Sequence, residues 1–163
     1  MFKRLLLILV FLVFMCGSAF SAALFEDSFN YELLKKYLLD PLTLNGSKAY
    51  RTEAFDYKLD ESVDVPVRRA DVPSLLIFDG IFLHRPELAS YWDYSIFLDI
   101  SKHESVRRCI ERAQLAGVSY DPADPAHQRY VVGQEIYIKQ CDPASHATRV
   151  INNEQLESPF FVT

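Results

Sequence analysis

The chain has 163 residues, one domain's length, and half of them are apolar, enough for a core. With Lys3 and Arg4 set aside, 15 basic and 22 acidic residues remain, a formal charge of −7, which argues against nucleic-acid polymers or an anionic membrane as partners. Three cysteines, of which only Cys109 and Cys141 lie beyond the N-terminal segment, allow one disulfide but no disulfide framework. Cys109, Cys141, His127 and His146 have no standard zinc-ligand spacing.

The N-terminus reads MFKRLLLILVFLVFMCGSAFSAALFED: two basic residues, eleven apolar residues from Leu5 to Met15, then small residues up to Ala22 and Ala23. This is the pattern of a secretory signal peptide, with cleavage expected after Ser21 or Ala23. Residues 1–23 are therefore read as a signal-like segment and 24–163 as the domain, which places the protein in the periplasm or outside the cell. Phe14 and Met15 stand where a lipoprotein signal has small residues ahead of Cys16. The uncharged span from Leu5 to Phe25 also approaches the roughly 20 residues of a membrane anchor, the one membrane contact the sequence suggests. A second reading makes Leu5 to Phe14 a strand of the domain, in a protein that stays in the cytoplasm.

Ser28 is placed to cap a helix that runs to Leu39 and ends at Asp40-Pro41. Asn45-Gly46-Ser47 is a turn, Tyr50 to Asp60 holds a short strand, and the charged stretch Glu61 to Val72 reads as a loop. Leu75 to Phe78 is a short apolar run closed by Asp79-Gly80, the look of a strand buried on both faces. Asp79 would then stand at a strand's carboxyl end, where α/β sheets bind ligands, or would simply cap the turn with Gly80.

Pro86 suits the first turn of a helix from Arg85 to Tyr91, and Tyr94 to Ile100 is a second buried strand. Ser101 and Glu104 form a capping box ahead of a helix that Gly117 stops. Val106, Cys109, Ile110 and Ala113 make its apolar line, and Arg107, Arg108 and Arg112 its other side. A loop from Tyr120 to His127, a helix from Arg129 to Gln140 and a strand from Thr148 to Ile151 complete the series. Alternating strands and helices define an α/β domain with a largely parallel sheet.

Taken in order, FEDSFNYELLKKYLLDPL, YRTEAFDYKLD, LLIFDGIFLHRPELASYWDYSIFLDI, RRCIERAQLAG, RYVVGQEIY and ATRVINN resemble the later part of a bacterial uridine-kinase-like protein, of the P-loop nucleoside kinase and phosphoribulokinase group. The resemblance spans Phe25 to Val162. It implies ATP- and Mg²⁺-dependent phosphorylation of a nucleoside, a small-molecule partner. By the same resemblance Asp79 lies beside the phosphates and the metal, Arg108 and Arg112 reach phosphoryl oxygens, and Arg129 and Tyr130 match a lid-proximal, substrate-binding position, Tyr130 alternatively packing its helix. His84 and Arg85 either approach substrate or cap their loop. Guanidinium groups suit that role because they stay charged and present a planar fork. The chain departs from the family in having Arg112-Ala113 where Arg-Asp is common.

No GxxxxGK[ST] occurs in these 163 residues, and the aspartate that prepares the substrate hydroxyl in the family has no counterpart. Gly46-Ser47-Lys48 lacks the upstream glycine, the preceding strand and the following helix, and reads as an ordinary turn. The expectation is an incomplete P-loop-kinase-like domain, a truncated pseudoenzyme inactive by itself. An exported binding module on a kinase-derived scaffold, or a kinase completed by another chain, are the alternatives.

Overall fold

The computed structural model describes residues 7–10, 31–53, 55–56, 61–62, 64–71 and 73–162. Apart from residues 7–10, the signal-like segment lies outside these, as does the expected cap at Ser28.

The domain is a mixed α/β structure whose main sheet has the order β6-β1-β7-β8-β9. In it β1 (Leu7–Val10) lies between β6 (Ile77–Phe78) and β7 (Tyr94–Asp99), parallel to both, with Leu7 opposite Ile77 on one side and Tyr94 on the other. β1 falls within the Leu5 to Phe14 segment that the second reading of the N-terminus makes a strand of the domain. β8 (Arg149–Asn152) runs parallel to β7, and β9 (Phe160–Val162) closes the sheet antiparallel to β8. The sheet is thus mixed, and its antiparallel edge is an addition to the strands expected from sequence.

Two small antiparallel ribbons correct the expected loop at 61–72. β2 (Ala49–Tyr50) pairs with β5 (Arg68–Arg69), and β3 (Phe55–Asp56) with β4 (Glu61–Ser62). Strands of two residues are too short to show a period of two, so composition alone reads as loop.

The first helix also departs from expectation, because it does not stop at Asp40-Pro41. An α-helical turn, α1 (Tyr31–Leu34), widens into a π-helical stretch at Lys35–Leu39 and tightens again as α2 (Asp40–Leu42). Pro41 has no N–H for the carbonyl of Tyr37 four residues earlier. That carbonyl instead accepts from the backbone N–H of Arg51 at 2.9 Å, so the continuation leaves no orphaned acceptor. The chain then turns at Gly46, where a Cβ would sit 2.3 Å from the carbonyl oxygens of both Asp40 and Pro41.

β6 is a sheet edge. Leu75 and Ile77 are 50% and 59% exposed, contrary to the strand buried on both faces that the apolar run suggests. β7 is the buried strand: Ser95 to Leu98 are all inside. Ser95 and Thr148 exchange hydrogen bonds between backbone N–H and hydroxyl, at 3.0 and 3.1 Å, which fixes the entry of β8 beside β7. On one side the core gathers Leu39, Leu83 and Leu88, flanked by Tyr31, Leu34, Leu38, Phe78 and Trp92. Full burial of a leucine side chain contributes about 2 kcal/mol, so these three anchor α1, α2 and α3 (Pro86–Ala89) to the loop after β6.

Candidate functional site

Because β6, β1, β7 and β8 are parallel, their carboxyl ends lie on one side of the sheet, and the polar and ionisable residues at those ends collect there: Asp79, Asp99, Ser101, Asn153 and Glu154. Asp79 and Asp99 are exposed, while Asn153 is buried and donates its backbone N–H to the carbonyl of Asp99 at 2.9 Å.

Helix α4 (Lys102–Leu115) starts from this edge. Its cap is the one expected, Ser101 Oγ accepting from Glu104 N–H at 3.1 Å. The return half of the capping box is different: Ser101 N–H and Oγ–H donate to Glu154, at 2.7 and 2.6 Å, from beyond β8. Those two bonds hold the Glu154 carboxyl below the usual carboxylate range. Glu104 is thereby released to face along the helix, where it accepts from Arg107 Nε and Nη2, both at 2.7 Å, and from Arg108 Nε at 2.6 Å. The two guanidinium groups, Arg107 first, hold Glu104 down at about 2, and Glu104 in turn raises Arg107. The far end of α4 is closed as expected, by Gly117 at φ 68° with Gly117 N–H on Gln114 O and Val118 N–H on Ala113 O.

Arg108 is therefore a structural joint. Besides Glu104, its Nη2 donates to the carbonyls of Asn153 at 2.6 Å and Glu154 at 3.3 Å, tying α4 to the end of β8. Arg112, one turn on, is exposed, with Nη2 3.5 Å from Cys109 Sγ. Asp79 stands at the β6 end, three strand spacings from β8, roughly 14 Å across the sheet. The structure thus separates Asp79 from Arg108 by the ends of β1 and β7.

His84 and Arg85 lie in a second group, beyond the loop from Asp79. Tyr137, on α5 (Pro125–Cys141), accepts the His84 backbone N–H at 3.1 Å, and burial pushes its phenol upward. Arg85 lies over the ring of Tyr31 at 5.6 Å. Arg129 is buried on α5 with its guanidinium 5.0 Å from the ring of Tyr130. α5 begins at Pro125, four residues earlier than expected, as a proline at a first turn allows. The residues missed from sequence are Asn153 and Glu154, whose carbonyls hold Arg108, and Tyr137. None of these carries a local signal, whereas Glu104 is marked by its three-residue spacing from Ser101.

Among the described residues no group of three or more His, Cys, Asp or Glu is placed to hold a metal ion through protein ligands alone. Among the described residues Cys109 and Cys141 are not joined in a disulfide, and no helix is long and apolar enough to cross a membrane. Gly46-Ser47-Lys48 is an ordinary turn, as expected. Lys48 Nζ folds back onto the carbonyls of Thr43 and, at 2.9 Å, Leu44.

No family model matches the chain, and no curated protein does. Among solved structures, a possible uridine kinase from Bacillus stearothermophilus is similar with a TM-score of 0.48 and 20% identity, over 75% of this chain and 54% of that one. The chain spans about half the length of that protein.

Proposed function

We propose that this chain is a nucleoside-kinase-like scaffold, of uridine-kinase-like ancestry, that does not transfer phosphate by itself. The observation that carries the reading is the composition of the segment just after the central strand. In an α/β sheet of this kind, the loop leaving the carboxyl end of a central strand is where backbone N–H groups and a lysine hold phosphates. Here β1 ends at Val10, and residues 11–34 contain one glycine, Gly17, and no lysine or arginine.

Phosphoryl transfer depends on positioning and charge stabilisation more than on covalent help from the protein. A missing cradle is therefore a missing catalyst, since each 1.36 kcal/mol of lost transition-state stabilisation costs tenfold in rate. The order of FDGIFLHRPEL, the strand after it and RRCIERAQLAG supports the ancestry. The engagement of Arg108 by Glu104 and two backbone carbonyls supports a helix kept for structure.

The test is a radiolabel transfer assay on the full chain with ATP, Mg²⁺ and uridine or cytidine. Product is expected at background. Turnover in a preparation free of host kinase, abolished by Asp79→Ala or Arg112→Ala, would overturn the proposal and point to an active kinase.

A further inference from the structure

The turn between β6 and α3 is strained and closed over an imidazole with no hydrogen-bond partner among the described residues. Phe82 adopts φ 61°, in the left-handed region that an aromatic L-residue enters only when its surroundings compensate. The compensation is packing: Phe82, Leu83 and His84 are 7%, 2% and 5% exposed, and Phe82 meets the ring of Tyr137 edge-on at 5.1 Å. Two hydrogen bonds add to it, His84 N–H to Tyr137 Oη and Trp92 Nε1–H to Leu83 O at 2.7 Å. Neither ring nitrogen of His84 has a hydrogen-bond partner among the described residues.

The surroundings of that ring are poor in anions. From β7 it meets Phe97 edge-on at 6.4 Å, and the next ionisable residue on that face of the strand is the exposed Asp99. From α5, Tyr137 Oη takes the His84 backbone N–H, and from α6 (Pro143–His146) His146 is the like-charging neighbour of the ring. Arg85 is next in the chain, with Tyr31 of α1 under its guanidinium and Glu87 of α3 at 3.6 Å from its Nε. Glu87, the carboxylate nearest in chain, already faces Arg85.

We propose that the 82–85 turn is an acid-released latch: neutral His84 holds it shut, and protonation, placing a charge in apolar packing beside His146, opens the turn and frees Trp92 from Leu83. The strain at Phe82 gives the opened state somewhere to go, since a solvated turn no longer needs the left-handed residue. Burial, with a smaller push from His146, lowers His84 from 6.5 to about 4. In the opened turn the solvated imidazole binds its proton near 6.5, so the open form holds more protons in that interval. Falling pH therefore favours opening. The closed turn is fully stable above 6.5 and loses that stability as pH falls through about 4.

Trp92 is the single tryptophan of the chain and reports on the latch directly. In the full chain titrated from about pH 7.5 to 3.5, Trp92 emission should change reversibly between about 6.5 and 4 while the far-UV circular dichroism holds. His84→Phe should remove that step. A proton NMR titration of the His84 ring should give a midpoint well under 6.5. The proposal fails if emission and dichroism are lost together, if His84→Phe keeps the step, or if the ring titrates as a solvated histidine. Should His84→Phe not fold, the ring titration in the unsubstituted chain decides alone.

Discussion

Arg108 Nε lies 2.6 Å from Glu104 Oε1 while its Nη2 lies 2.6 Å from the carbonyl oxygen of Asn153, so one guanidinium joins the first turn of α4 to the end of β8. Arg108→Ala removes the donor for two backbone carbonyls and one of the two cations on Glu104. The thermal midpoint is expected to fall by about 5 °C or more. Arg108→Lys should restore only part of this, because a single ammonium cannot span the fork. Arg112→Ala, at an exposed position, should stay within about 0.5 kcal/mol of the parent. Thermal denaturation of the three variants checks this, and equal losses at Arg108 and Arg112 would contradict it.

The same joint gives the fold an acid sensitivity of known sign. Glu104, held at about 2 against an ordinary 4.5, and Glu154, also lowered, bind fewer protons folded than unfolded. Their stabilisation is fully present above 4.5 and is lost as pH falls from there through about 2. Thermal midpoints measured across that interval should drop with a shallower slope in Glu104→Gln than in the parent chain. An unchanged slope would show the pair to be screened by water.

Gly46 is expected to be the least replaceable of the described glycines. Its added Cβ would meet two backbone carbonyls at 2.3 Å, which no side-chain movement relieves, so Gly46→Ala should cost about 2 kcal/mol or more. Gly80→Ala, whose Cβ would meet Leu83 Cδ2 at an ordinary 3.6 Å, serves as the control and should be close to neutral in chemical denaturation.

Residues 1–23 decide whether the sheet has a middle. Removal of that segment takes β1 out from between β6 and β7, which then have no partner on that side. A chain starting at Leu24 is expected to lose the cooperative thermal transition of the full chain. We propose the same criterion for its cellular fate: the mass of the protein recovered from its host should show whether cleavage after Ser21 or Ala23 has detached the strand. A compact, cooperative 24–163 fragment would favour the signal-peptide reading.

Where sequence and structure agree, the reason is local chemistry. Ser101 caps α4 and Gly117 closes it because both motifs act within four or five residues, and Tyr94 to Ile100 is a strand because both its neighbours cover it. Where they differ, the deciding partner is distant. Pro41 has the look of a helix end, but Arg51 supplies the hydrogen bond that lets the helix continue. The Leu75 to Phe78 run has the look of a buried strand, yet apolar composition does not tell an edge strand from an inner one. β9 leaves no clear trace in the sequence because its three residues are largely exposed and, among the described residues, pair only with β8. Arg108 is legible as one face of a helix, whereas the carbonyls that hold it lie 45 and 46 residues further on.

The central strand is made well before either of the strands it pairs with. Leu7 pairs with Ile77 and with Tyr94, 70 and 87 positions later, so at about 5 to 20 residues per second the ribosome leaves β1 unpaired for roughly 4 to 17 s. For that interval an apolar segment of eleven residues behind Lys3 and Arg4 is available to whatever binds nascent hydrophobic chains. Kinetic competition between capture and sheet closure, set by translation speed, is thus built into the placement of four residues.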